Sequence, residues 1–449
     1  MRIVALDKES KQSILNDLLK RSPNNYSQYE STVNQIIEKV RAEGDKALFD
    51  YTLQFDKFAL SAENIRVTKE EIAEAYAQMD ENLIDVIRQS AENIRAFHQK
   101  QLRNSWFDAK PDGTILGMKI TAIERAGVYV PGGKAAYPSS VLMNVIPAKV
   151  AGVDEIIMTT PPGKDGKVNP GTLVAADIAG VDTIYKVGGA QAIAAMAFGT
   201  QSVPKVDKIT GPGNIFVATA KRMVSGIVGI DAVAGPTEIA IIADKGANPS
   251  WLAADLIGQA EHDELAGSVL ITDSEEIAEQ VQENLKYRVP RTEHSERVNT
   301  SLRGRQSGII LTDGIEQSID AANAYAAEHL EVQTADPDAV IAKIRNAGAI
   351  FRGPYSPVPL GDYMSGSNHV LPTSGTARFA AGLGVHTFMK PVEVIEYDEQ
   401  GLKTLAARVN AFAVSEDLPA HGECVLSRFI DDPYNKATIK EQEEQAGLR

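Results

Sequence analysis

The feature that most limits the fold is a series of short β-rich runs that begins near Arg125 and recurs at helix-length spacing. AGVYV, DEIIMTT, DTIYKV, DKIT, TEIAIIAD, SVLITDS, GIILTD, LEVQTAD and AGAIFR are separated by stretches that read as helices. Strands joined through helices return to the same edge of a sheet, so the alternation predicts right-handed βαβ crossovers and mostly parallel sheets. The runs are too many for one mononucleotide-binding half, so two α/β units are expected, with a break near Thr237. Residues 1 to about 100 read as helical scaffold, from apolar residues at three- and four-residue spacing in strings such as YSQYESTVNQIIEKVRAEGDKALFDYTLQFD. Beyond about Lys390 the chain turns helical and charged and ends in KEQEEQAGLR, which reads as an arm.

A chain of 449 residues that is 43% apolar and 23% charged buries a sizeable core without disulfide or metal staples. Its formal charge of -15 argues against nucleic acid or an anionic membrane as partner, because both require clustered Lys and Arg. No run of ~18 apolar residues suited to spanning a membrane is present. The opening MRIVALDKESKQ has no apolar run behind a basic tip, so no secretory signal is expected. Cys424 is the single cysteine. It fits a reducing cytoplasm and excludes both an internal disulfide and a thiolate metal cage.

Three Gly-rich loops each follow a strand-like run and precede a helix: YVPGGKAAYPSS, KVGGAQAIAAMAFG and ITGPGNIFVATAKR. Backbone N–H groups at such a helix start favour a phosphate, although tight turns alone also demand Gly. None of the three is GxGxxG, and three in succession point weakly to a dinucleotide. In ANPSWLAADLIGQAEHDELAG, Asn248 is the expected N-cap and Pro249 the first helical residue. Gln259 and His262 lie three apart and are expected on one helix face. Such a pair is commonly plain surface or core polarity. With Asp362 in LGDYMSGSNHVLP and His421 in SEDLPAHGEC, it would make a nitrogen-and-oxygen set suited to zinc. In AAEHLEV, Glu328 and His329 mark a helix-to-strand passage. They either punctuate a turn or supply the near-neutral base that hydride removal from an alcohol needs.

Together these strings resemble the histidinol dehydrogenase family from about residue 30 to 425. The strongest are GVYVPGGKAAYPSSVLMNVIPAKVAGV, KVGGAQAIAA, KITGPGNIFVA, AGPTEIAIIAD, DLIGQAEHDE, EHLEV, LGDYMSGSNHVLPTSGTARF and EDLPAHGECVLSR. Four of the seven histidines, His262, His329, His369 and His421, fall inside them.

The resemblance implies two incomplete Rossmann-like parallel-sheet domains, one inserted in the other, with small helical N- and C-terminal segments. The implied boundaries are 1–28 for the N-terminal helical segment, 29–128 with 237–385 for a zinc and substrate domain, 129–236 for an NAD domain, and 386–449 for a C-terminal arm. It further implies Gln259, His262, Asp362 and His421 as zinc ligands, with His421 reaching in from the other subunit of a homodimer with shared sites. His329 is implied as general base and acid, and Glu328 as the activator of water. Thr237, His369 and Glu416 would line the substrate pocket, while Tyr129, Gln191 and Asn214 would touch NAD. The implied reaction is the four-electron oxidation of L-histidinol to L-histidine through bound histidinal.

Departures from the family pattern are Thr237 where Ser is common, Ala327 and Ser367 where Pro is common, and Asp417 where Gly is usual. Asp417 and Ser367 leave substrate choice open. The alternatives are a related zinc and NAD dehydrogenase for another small polar alcohol, or a non-catalytic zinc or amine-binding protein of the same fold. A rival aldehyde step through a cysteine thiohemiacetal would fall to Cys424, but a cysteine on an amphipathic helix is usually a small buried hydrophobe.

Overall fold

The structure is a computed structural model that describes residues 1–6, 26–111, 113–132, 137–430 and 439–448. Among these the strands are β1 (Ile3–Ala5), β2 (Trp106–Ala109), β3 (Ile115–Ala122), β4 (Arg125–Tyr129), β5 (Glu155–Thr159), β6 (Thr183–Tyr185), β7 (Lys208–Thr210), β8 (Gly229–Ile230), β9 (Glu238–Ala243), β10 (Gly267–Thr272), β11 (Gly308–Leu311), β12 (His329–Gln333), β13 (Ala349–Arg352) and β14 (Met389–Glu396). The α-helices are α1 (Ser27–Glu43), α2 (Asp45–Phe55), α3 (Lys69–Gln78), α4 (Glu81–Gln99), α5 (Pro138–Ala151), α6 (Pro170–Ala179), α7 (Gly189–Phe198), α8 (Ile215–Val224), α9 (Pro249–Ala260), α10 (Glu275–Arg288), α11 (Ser295–Arg303), α12 (Ile315–Tyr325), α13 (Pro337–Ile341), α14 (Val358–Tyr363), α15 (Glu399–Ser415), α16 (Pro419–Leu426) and α17 (Ile439–Gln445).

The chain divides into two compact units, Met1–Leu102 with Ala122–Phe388, and Arg103–Thr121 with Met389–Arg449. The first holds two parallel sheets, one of five strands in the order β6-β5-β4-β7-β8 and one of six in the order β1-β11-β10-β9-β12-β13. Every residue of β9 and β10 is buried, the pattern of strands covered by helices on both faces. The α9 side packs through Leu252, Ala253 and Leu256 against Ile239, Ile241 and Leu270. On the α12 side, Ile319, Ala322 and Tyr325 pack against Ala240, Ile242 and Leu330. Each such Ile or Leu contributes ~1.5–3 kcal/mol by leaving water.

All nine predicted runs are strands, and the two sheets part between β8 and β9, beside Thr237. Three regions differ from the sequence reading. The N-terminal segment is not simply helical, because Ile3–Ala5 pairs with β11 as an edge strand; the rest of the predicted segment up to residue 25 lies outside the described residues. Three residues are too few to show a period of two. The C-terminal segment begins with a strand, β14, which joins β3 and β2 in a three-stranded sheet of the second unit. Finally, β8 has only two residues.

In the second unit, Ala406, Leu426, Ile430 and Leu448 form a small core. Val392, Ile395, Phe412, Val414 and Leu418 remain exposed.

Two of the Gly-rich turns in the first unit follow the carboxyl ends of β6 and β7; much of the first such loop, at 133–136, lies outside the described residues. Gly211 has φ +113°, and a Cβ there would stand 2.0 Å from the Tyr129 carbonyl oxygen, so only glycine fits.

Candidate active site

The amino ends of β9 and β12, neighbours in the six-stranded sheet, carry the central groups. Their register pairs His329 with Ile239, so Glu328 and Glu238 meet just ahead of the ladder. Glu328 Oε2 accepts from the Thr237 hydroxyl at 2.5 Å and from the Glu238 backbone N–H at 3.0 Å. His329 Nδ1 lies 3.0 Å from the Glu238 carbonyl oxygen, which only accepts, so Nδ1 carries the proton. Nε2 then holds the lone pair. It is buried and has no hydrogen-bond partner among the described residues.

Burial lowers the His329 pKa below the ordinary imidazole value, against the opposing effects of the Asp362 carboxylate and the Glu238 carbonyl. The ring is neutral at physiological pH. A neutral imidazole with a buried lone pair of this kind, free of any hydrogen bond among the described residues, is suited to accept a proton.

Thr237 extends the network, accepting from Gln259 Nε2 at 2.8 Å. That bond fixes the amide so that Oε1, the metal-competent atom, is the one Thr237 does not use. Asn248 and Pro249 start α9 as expected, with Asn248 Oδ1 accepting from the Ser250 N–H at 2.9 Å. The expectation that Gln259 and His262 share a helix face is corrected, because α9 ends at Ala260 and His262 follows its C-cap. The helix gives out where GluHisAsp replaces the apolar periodicity.

His262, Asp362 and His369 gather around the same ring. His262 keeps an exposed edge, yet its pKa is lowered by surrounding protein and then by the imidazole of His329. Burial raises the Asp362 carboxyl, while His329 holds it down. His369 is pushed down to about 4 by burial, with His329 and His262 adding to the effect. Its Nδ1 is 3.3 Å from the Asp362 carbonyl oxygen and its Nε2 is 3.4 Å from the Ser140 hydroxyl. The adjacent Asn368 donates to the Met143 carbonyl at 2.7 Å. These contacts tie the SNH segment to α5, the helix that follows the first Gly-rich loop.

Among the described residues no three His, Cys, Asp or Glu side chains cluster to hold a metal. The predicted set has only two such groups, His262 and Asp362, in the first unit, since Gln259 is an amide. Its donor chemistry, one imidazole, one carboxylate and one amide oxygen, fits zinc. Glu416 and His421 belong to the second unit, at the end of α15 and in α16, and both are exposed. Cys424 is exposed there as well, which corrects its reading as a buried hydrophobe.

The predicted NAD contacts lie on the five-stranded sheet. Tyr129 is buried, its pKa is pushed up to about 12 by desolvation, and its hydroxyl accepts from the Gly189 N–H at 3.1 Å. Gln191 is buried in the first turn of α7, and its Oε1 has no partner among the described residues. Asn214 caps α8, accepting from the Phe216 and Val217 N–H groups at 3.0 and 3.2 Å. The buried pair of Lys221 and Asp231 went unrecognised in the sequence. Lys221 Nζ donates to the Gly211 carbonyl at 2.9 Å, and Asp231 accepts from the Gly211 N–H at 2.8 Å, so one ion pair holds the turn from both sides. Their separation by ten residues, on a helix and a loop, leaves no local signal.

Two helix-flanked parallel sheets and a buried imidazole set to take a proton define a class, an α/β protein built for proton transfer. The sequence pattern of the family described as histidinol dehydrogenase matches residues 19–429. Histidinol dehydrogenase of Bifidobacterium longum is 64% identical over 93% of this chain and 91% of its own length. That of Bacillus subtilis is 51% identical over 88% and 92%. The crystal structure of histidinol dehydrogenase from Elizabethkingia anophelis superposes with a TM-score of 0.89 at 36% identity, covering 95% of this chain and 98% of that one. The chain belongs to the histidinol dehydrogenase family.

The hydroxyl of Thr237 joins two site groups, so its loss should be costly. Thr237→Val strands the Gln259 amide and the Glu328 carboxylate and should lower the unfolding free energy by ~1–3 kcal/mol in urea titrations. Thr237→Ser keeps the hydroxyl and should retain most of it. A loss in Thr237→Ser with none in Thr237→Val would mean the methyl group, not the relay, is what matters.

Proposed function

We propose that this protein oxidises L-histidinol to L-histidine in two hydride transfers to NAD, acting as a homodimer in the cytoplasm. The observation that carries the reading is the neutral His329, its Nδ1–H given to the Glu238 carbonyl and lying 3.6 Å from Glu328 Oε2, with its Nε2 buried and without a hydrogen-bond partner among the described residues. Membership of the histidinol dehydrogenase family supplies the substrate.

Gln259, His262 and Asp362, with His421 of the partner subunit, would hold one zinc ion. Bound zinc supplies positions for the imidazole and amine nitrogens of the substrate, and bound NAD supplies the hydride acceptor. Thr237 and His369 line the pocket from the first unit, and Glu416 adds a carboxylate for the cationic amine. Tyr129, Gln191 and Asn214 face the NAD side. On this reading residues 129–236 form the NAD domain, 29–128 with 237–385 the zinc and substrate domain, 1–28 a short N-terminal segment, and 386–449 an arm that completes the partner's site. The exposed apolar side chains of the second unit, among them Ile395 at 68% and Phe412 at 68%, support its covering by a second subunit. The single cysteine supports a reducing compartment.

His329 Nε2 takes the carbinol proton as hydride leaves the carbinol carbon. The aldehyde stays bound. Glu328, oriented by Thr237 and the Glu238 N–H, takes a proton from a water as it adds to the carbonyl carbon, and His329 returns its own proton to the carbonyl oxygen, which gives the diol and frees Nε2. His329 then takes a proton from the resulting diol as the second hydride leaves. Balance requires one water consumed and two hydrides removed.

His329→Asn should nearly abolish both oxidations while zinc content and dimerisation persist. Glu328→Gln should slow oxidation of supplied histidinal far more than oxidation of histidinol to the aldehyde level, because only the second step consumes water. Equal loss in both would reassign Glu328 to orienting His329. Since burial depresses the His329 pKa below the ordinary imidazole value, the fall of kcat in acid should come at a lower pH than an ordinary imidazole would give.

The shared site has its own test. His421→Ala and His262→Ala chains, each inactive alone, are unfolded together and reassembled. If His421 acts in the partner's site, each mixed dimer holds one site with both lesions and one with neither, and activity returns. Verified mixed dimers without activity would reject the sharing.

A further inference from the structure

Two residues beyond His329, on the same face of β12, the strand carries Glu331 and then Gln333, both buried. The opposite face carries Leu330 and Val332, which enter the apolar core. A polar strand face buried under a helix demands partners, and here they are specific. Gln333 Nε2 donates to Glu331 Oε2 at 2.8 Å and to Asp255 Oδ2 at 3.0 Å. Glu331 Oε1 accepts from the Val358 N–H at 3.2 Å. Asp255 lies on α9 one turn before Gln259, and Val358 opens α14, the short helix that bears Asp362.

We propose that Glu331 is a positioning residue whose carboxyl group, joined to Asp255 and Gln333, locks β12, α9 and α14 in one register and so holds His329, Gln259 and Asp362 in place. The inference rests on the zinc and base assignments above. Neither Asp255 nor Glu331 touches substrate or cofactor in that reading. Burial and the neighbouring Asp255 push the Glu331 pKa up to about 8, so near neutral pH its carboxyl is mostly protonated. Asp255 is also raised, chiefly by burial, although Gln333 and Glu331 stabilise its charge. A protonated Glu331 donates to Asp255 and still accepts from Val358, so all three links are satisfied without two adjoining charges. Outer groups that orient ligands in this way commonly set metal affinity by ~10–100-fold.

The isosteric variant separates this from simple core packing. Glu331→Gln preserves the shape and the donor of the protonated carboxyl. Glu331→Leu preserves apolar volume and removes every polar link. Zinc affinity is read by competition with a chromophoric chelator, with kcat and both KM values measured on the folded fraction. Glu331→Gln should stay within about threefold of the unaltered protein in both. Glu331→Leu should bind zinc about tenfold more weakly and lose about tenfold in kcat, while KM for NAD stays unchanged. A third readout, the ring 15N resonances of His329, needs no metal and should move in Glu331→Leu alone. If Glu331→Leu fails to fold, Asp255→Ala cuts only the helix link and is read in the same way.

Wild-type zinc affinity, kcat and His329 resonances in Glu331→Leu would overturn the proposal, as would a Gln variant as impaired as the Leu variant. Failure of the unaltered protein to oxidise histidinol would instead sink the proposed function, and the resonances of His329 would still decide the role of Glu331.

Discussion

Four hydrogen bonds join the amino ends of β9 and β12, one of them from the Glu328 N–H to Glu238 Oε1, and the site depends on them. The backbone of Glu238 uses both of its polar groups: its N–H supports the Glu328 carboxylate, and its carbonyl takes the Nδ1–H of His329. Thr237 supplies the third bond and passes the constraint on to Gln259. The backbone of a single residue therefore decides which ring nitrogen of the base is free and how the neighbouring carboxylate is turned. Parallel pairing of these strands fixes that backbone to within the tolerance of a β-ladder, which is tighter than a loop would give.

The placement of chemistry differs between the two sheets. In the five-stranded sheet the Gly-rich turns follow the carboxyl ends of β6 and β7, where open α/β sheets ordinarily bind ligands. In the six-stranded sheet Thr237, Glu328 and His329 occupy the amino ends of β9 and β12 instead. Amino ends lack the helix N-termini that favour phosphates, but they suit a neutral imidazole buried among carboxylates and amides. Contacts of the 367–369 segment with α5 connect the two arrangements within the first unit.

Most of the α/β frame was legible because strands covered on both faces are apolar throughout, and TEIAIIAD and SVLITDS stand out against polar turns. The edge strand Ile3–Ala5 and the two-residue β8 are too short to carry a pattern. LEVQTAD was legible as a strand but not as one with a buried polar face, since alternation of polar and apolar residues ordinarily signals a half-exposed strand. What pairs with this polar face is Asp255, 78 residues from Gln333 in the chain, and pairing at that range leaves no local trace. The helix face expected of Gln259 and His262 failed for a local reason, as the helix ends between them. Asp417, which stands where the family usually has Gly, has φ +58°. An aspartate tolerates that left-handed backbone better than most side chains.

The account turns on the protonation of one ring. Selective 15N labelling of the histidines, with the His329 signals identified by their loss in His329→Asn, reports the tautomer directly by long-range coupling to the ring protons. Near pH 7 His329 should be neutral with the proton on Nδ1, and it should titrate below the ordinary imidazole value. A ring protonated on Nε2, or one that is positively charged at that pH, would contradict the account.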